Sequence, residues 1–415
     1  MTMGWLGDFW GRERVYLLGL AVFTFPLALT ALSSDIYQVI AWRAVQGIGS
    51  AMILATSMAI IADVFSPRER GVAFGLVGMV VGIGLGSGPL LGGIILDVLD
   101  WSALFYTRIP LGLFAVIITW ALLKRSPKRT EPLHLDIAGS LLLLIVLGSF
   151  LLAITQAGRL GLASPVVIGA ILVGVLGLPL LLVQERSAIR PIINLHMFRN
   201  PMYSGGVVAL LGLYQSWNSV GFLLPFVMIN ALGYTGTKAG AILAIFSLVR
   251  SVASPGAGWL SNKLPHRLLM GLGMVILASC LFLISTFSLG VIEWQLALIL
   301  AVASIGCALF DPTNSASMMS TVPQDRLGMA AATIATSRQI GLAGGIAISG
   351  AILASRQIHH LESLGAGVIA SDHIAKLALI HGASDALVTS GVFCLLTVLP
   401  LILWKRKSNP PTQSR

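Results

Sequence analysis

The sequence predicts an all-α polytopic membrane protein of about twelve transmembrane helices, and three observations lead there. Of its 415 residues 56% are hydrophobic and only 10% charged, with a mean hydropathy of +0.91. A soluble surface needs far more charge than this. Second, the apolar residues fall in runs of roughly 20, the length that a hydrocarbon core about 30 Å thick requires of a helix. Backbone amides in lipid must bond within their own segment, so each run is a helix. The alternation of a porin-like strand is missing. Third, the basic residues alternate from side to side of these runs.

The spans follow in order. The first, 15–33, comes after a polar, basic start that is unlike a secretory leader. The second, 37–62, carries Arg43, and the third, 71–98, is rich in glycine. The fourth, 103–123, contains Arg108; the fifth and sixth, 137–157 and 165–183, are almost free of ionisable groups. Then come 202–229, 239–260 with Arg250, 268–289, 296–319 with Asp311, 329–354 with Arg338, and 386–404. With a cytoplasmic N-terminus, eighteen of the 26 basic residues lie in inside loops. The outside loops hold only Arg159, Lys238, Arg356 and Lys376. This asymmetry places both termini in the cytoplasm of a multi-pass inner-membrane protein. It also accounts for the net charge of +10 as a topology signal, with no nucleic-acid partner.

Four local motifs stand out. The string GWLGDFWGRERVYLLG places Gly4, Asp8, Gly11, Arg12 and Arg14 in a tight turn before the first span, with its arginines in water. In IAWRAVQGIGSAMI, Arg43 lies about two turns inside the outer end of its span. It needs a polar cavity or a partner, or a path to the outer interface. In GLGSGPLLGG, Gly84, Gly88, Gly92 and Gly93 form a bare stripe at helical spacing, and Pro89 removes a donor and bends the helix. Asp311 is the one acidic residue near mid-span, beside Pro312. It is either a proton or cationic-substrate site, or a carboxylate fixed by freed backbone or by an arginine such as Arg43 or Arg250.

The first three motifs, in this order, resemble the signature loop, the proton-transfer motif and the antiporter motif of the major facilitator superfamily. The stretch 305–353 and WSALFYTRIPLGL are similar to regions of its fourteen-span drug:proton antiporters, although Ser102 and Arg108 depart from the second pattern. The resemblance implies alternating access, with the first loop as a conformational latch. It implies a proton-coupled exporter of small hydrophobic or cationic compounds, with Asp311 and Arg43 in proton coupling. Gln46, Arg108, Arg250 and Arg338 would serve the cavity or its packing.

The implied organisation is an N-terminal half at 1–125, two inserted spans at 130–186 and a six-helix half at 195–407. GWLSNKLPHRLLMG, from Gly258, echoes the first loop, as expected of a two-half transporter. Measured against the family, the chain supplies the last twelve of fourteen helices. A late start, a true truncation and dependence on a partner are all open at this point. So are an endogenous metabolite or siderophore as cargo, in either direction, and a transport-incompetent fragment. Protons, a small molecule and the bilayer are the implied partners; these motifs name no membrane-fusion partner.

Neither an enzyme nor a cofactor is expected. No phosphate-binding GxxxxGK[ST] loop occurs, and no span gathers the His, Asp or Ser groups of a catalytic site. Cys280, Cys307 and Cys394 are expected as packing residues. His359, His360, His373 and His381 are expected in a solvated outer loop that binds no metal.

Overall fold

The computed structural model describes residues 2–66, 68–123, 136–161, 163–187, 196–288, 290, 292–363 and 372–403. The loops around 124–135 and 188–195 and the tail from 404 lie outside the described residues, and with them several of the basic residues that orient the chain. Among the described residues every regular element is helical: α1 (Thr2–Trp10), α2 (Arg12–Ala31), α3 (Ile36–Val64), α4 (Arg70–Val98), α5 (Ala103–Tyr106), α6 (Arg108–Leu122), α7 (Ile137–Leu160), α8 (Pro165–Ser187), α9 (Pro201–Phe226), α10 (Gly236–Ser261), α11 (His266–Ser285), α12 (Glu293–Ser320), α13 (Leu327–Ser363) and α14 (Asp372–Leu403). Twelve of the helical segments are long and apolar enough to cross a bilayer, the number expected.

Local chemistry sets several helix starts. The Asp136 carboxylate accepts from the Gly139 amide, Asn200 from Met202 and Thr235 from Lys238, each satisfying an amide that the first turn leaves without a partner. Gly11, at φ 104°, separates α1 from α2, a conformation that a side chain would oppose.

Two expectations change. The opening motif is not a turn throughout: Gly4 and Asp8 lie on α1, and the helix is interrupted only at Gly11. Helix α4 runs on through Pro89. The last two spans extend well past their expected limits, as α13 to Ser363 and α14 from Asp372. Hydropathy cannot see these ends, because a helix leaving the bilayer keeps its hydrogen bonds while its side chains turn polar. His359 and His360 therefore lie on α13, and His373 and His381 on α14, rather than in a loop.

Helices α9 to α14 form the main core, with Tyr203, Leu210, Leu277, Leu300 and Phe310 fully enclosed. Met58, Ala59 and Ala62 of α3 and Phe74 of α4 join that core from the first group of helices. The α7–α8 hairpin packs on α13. The most extensive helix contact of all joins α4 to α10.

That contact depends on the absence of side chains. A Cβ on Gly258 of α10 would stand 2.1 Å from the Gly71 carbonyl oxygen, and one on Gly75 2.6 Å from that of Ser254. The backbones touch because nothing intervenes. Gly258→Val should therefore lower the thermal unfolding midpoint of the solubilised protein markedly. Gly256→Ala, whose Cβ meets nothing within 4 Å, should be neutral or slightly stabilising, within about 1 kcal/mol.

Candidate functional site

Four helices of the second group converge on one carboxylate. α12 is buried along its whole second half, from Phe310 to Met319, and presents Asp311 at its middle. From α10, Arg250 Nη2 reaches Asp311 Oδ2 at 2.6 Å. From α13, Arg338 Nη2 reaches Oδ1 at 3.1 Å. The Tyr214 hydroxyl of α9 donates to Oδ2 at 2.7 Å and accepts from Arg250 Nη2 at 3.3 Å. Both guanidinium carbons lie over the Tyr214 ring, Arg338 at 5.0 Å from its centre and Arg250 at 5.9 Å. Close approach of α13 to α9 makes this possible. A Cβ on Gly341 would lie 2.8 Å from that of Tyr214, one turn along α13 from Arg338.

The cluster is enclosed but not sealed. The Arg250 side chain is 3% exposed, that of Asp311 10% and that of Arg338 16%. Beside it, Trp217 of α9 stacks on Phe246 of α10. Behind it runs a polar layer: Gln215 donates to Ser219 and Ser390, Ser349 donates to Ser219, and Ser216 donates to the Ser390 carbonyl. Asp311 is thus fixed by arginines, one of the arrangements open from sequence, but the partners are Arg250 and Arg338 and not Arg43.

The other singled-out residues lie elsewhere. Arg43 is exposed on α3, and its Nη1 donates to Gln46 Oε1 at 2.7 Å. Arg108 is exposed at the start of α6. Arg12 does not stay in water, as its motif suggested. It is buried, with Nη1 at 3.3 Å from Asp63 Oδ2 at the end of α3, and it donates from Nη2 to the Gln324 carbonyl before α13 at 2.8 Å. It ties the two helix groups at the end that carries the basic loops. The side chains of Asp8 and Pro89 lie outside the described residues, as does the setting of Gly93.

The glycine stripe is the larger surprise. A Cβ on Gly84 or Gly88 would meet nothing within 4 Å, and one on Gly92 only Leu104 at 3.8 Å. The row that packs on α10 is Gly71, Gly75, Gly78, Gly82 and Gly86, against Gly258 and a run of serines from Ser261 to Ser247. Sequence reasoning missed this row, although its spacing of three and four was present to be read. It also missed Glu185, buried near Asp136 at the end of α8. The three cysteines are free and buried, and among the described residues no group of His, Cys, Asp and Glu is placed to hold a metal.

A bundle of twelve apolar helices, joined across a small-residue seam with a buried charge cluster to one side, is that of a polytopic membrane protein. Comparison with known proteins gives the family: the chain belongs to the Major Facilitator Superfamily, whose profile matches residues 1–138 and 206–415. It is 27% identical over 356 residues to the multidrug transporter protein MdtP of Bacillus subtilis (strain 168), covering 85% of this chain and 65% of that protein. The chain thus spans just under two thirds of that relative. It is 30% identical over 353 residues to the riboflavin transporter RibZ of Clostridioides difficile (strain 630), covering 84% of this chain and 75% of that one. Among solved structures, the human organic anion transporter MFSD10 shares the fold at a TM-score of 0.66 and 17% identity, covering 96% of this chain and 79% of that one.

The charge arithmetic orders two substitutions. Asp311→Asn leaves two guanidinium groups facing each other without a counter-ion and should cost about 3–5 kcal/mol. Arg338→Gln leaves Arg250 and Asp311 as a balanced pair and should cost clearly less. Thermal unfolding of the two variants in the same detergent checks the order.

Proposed function

We propose that this chain acts as a proton-coupled secondary exporter of small hydrophobic compounds, working by alternating access in an inner membrane with its termini and basic loops cytoplasmic. The seam between α4 and α10 carries the reading. It is tight from Gly71 to Gly86, while Gly84 and Gly88 on α4 and Gly236 and Gly240 on α10 face open space. One end is closed, and Arg12 bridges the groups at that same end. Closure of the other end would bring α4 beyond Gly86 onto the bare start of α10 at Gly236 and Gly240, so that the two ends alternate. In this reading 1–125 and 195–407 are the bodies that rock, and 130–186 is an inserted hairpin. Arg12 latches the closed state, and of the two residues to which the resemblance gives proton coupling, Arg43 and Asp311, Arg43 takes that role here, held by Gln46. Asp311 serves as the fixed counter-charge of Arg250 and Arg338, holding α10 and α13 to α12.

The relative named for multidrug transport, MdtP, supports export. Everted vesicles containing the chain, energised to an acid interior, should accumulate a neutral hydrophobic dye such as Nile red and release it on addition of a protonophore. Accumulation indifferent to the protonophore would remove proton coupling, and dye movement in the direction of the protons would remove antiport. Carriage of an endogenous metabolite is a second reading, favoured by the 30% identity to RibZ; riboflavin in the same vesicles tests it. Gly240→Trp, on the same face of α10 as Ser247 and with open space before it, separates the two ends. It should abolish dye transport by blocking outer closure and leave the thermal unfolding midpoint nearly unchanged.

A further inference from the structure

The charge cluster is unbalanced. Arg250 and Arg338 bring two positive charges to Asp311, and the bonds drawn among them and Tyr214 include no second carboxylate. Two donors are also left over: Arg250 Nε and Arg338 Nε are buried and bond to nothing. A buried donor without a partner carries the full cost of its lost hydration, more so when it is charged. Folding alone gives no reason to keep two of them beside one carboxylate, since a single arginine would balance Asp311.

We propose that the substrate carries an acidic group, a carboxylate or sulfonate, which docks on Arg338 and completes the charge balance of the cluster. Arg338 is the more open of the two arginines and lies on α13, the helix of the second group that also packs on α3 of the first. Its planar fork suits an oxyanion, and its face is already held by the Tyr214 ring. Trp217, partly exposed over the buried Phe246 on which it stacks, offers an apolar wall to the rest of the molecule. The class indicated is therefore an aromatic or otherwise apolar organic anion, and not the cation that the sequence resemblance suggests. A cation brought to this cluster would meet a net positive charge. Outward movement of an anion is also the direction that an inside-negative membrane potential favours, which agrees with the export reading on which this inference rests.

Three probes of one shape decide it: 2-naphthoate, 2-naphthamide and 2-naphthylmethylammonium. Their binding to the full chain in detergent is measured by calorimetry. The acid should bind about tenfold or more tightly than the amide, the worth of one charge-assisted hydrogen bond, and the ammonium should bind most weakly. In Arg338→Gln, which keeps the balanced Arg250–Asp311 pair, acid and amide should bind alike; Arg338→Lys should retain part of the preference. Equal binding of acid and amide by the unaltered chain, a preference for the ammonium, or a preference that survives Arg338→Gln would each overturn the inference. Nile red export without acid preference would sink the anion and spare the exporter. Acid preference in a chain that moves neither Nile red nor 2-naphthoate under the pH gradient would do the reverse.

Discussion

A charge inside a helical bundle must bring its counter-charge with it, because the bilayer offers none, and the second half of this protein is arranged around that constraint. Asp311 is reached from three other helices, by Tyr214, Arg250 and Arg338. Each of those side chains needs its helix at a particular depth and rotation. The small residues at Gly341 and Gly345 bring α13 hard against α9, so the guanidinium of Arg338 can lie over the tyrosine ring. The serine and glutamine layer behind the cluster joins α9 to α13 and α14 with bonds of its own. Packing, hydrogen bonding and charge here select one arrangement together.

The first half meets this body along a seam of a different kind. Between α4 and α10 there is almost no side chain to interlock, only backbone against backbone with serine hydroxyls turned onto their own helix. Contact of that sort has little in it to resist a tilt, since no knob must leave a hole. The glycine seam and the charge cluster share α10, with Arg250 one turn from both Ser247 and Ser254 of the seam. That helix is the one through which a change at either could reach the other.

Much of this architecture was legible in the sequence, and the parts that were not share a physical cause. Twelve spans could be read because each needs about 20 apolar residues whatever its neighbours do. Asp311 could be singled out because a mid-span carboxylate is costly in any fold, and Arg250 came forward as a partner for the same reason. Contact, by contrast, is a property of pairs. Arg338 came forward as a cavity residue but not as the second ion-pair partner, since its distance from Asp311 depends on how α12 and α13 lean. The glycines that pack were hidden beside glycines that do not: 82, 84, 86 and 88 alternate on α4, and only the rotation of the helix tells the rows apart. Arg12 looked like a solvated loop residue because its partners, Asp63 and the Gln324 carbonyl, come from distant parts of the chain.

Cys280, Cys307 and Cys394 are at most 3% exposed, each inside the second group of helices. A protein whose own thiols are all out of reach is a natural blank for single-cysteine spectroscopy. A spin label or dye added at one chosen surface position would be the only one to report. Pairs of such labels at the Ile36 end of α3 and the Ser363 end of α13 would turn the separation of the two helix groups there into a distance distribution, with no native residue replaced beyond the two label sites.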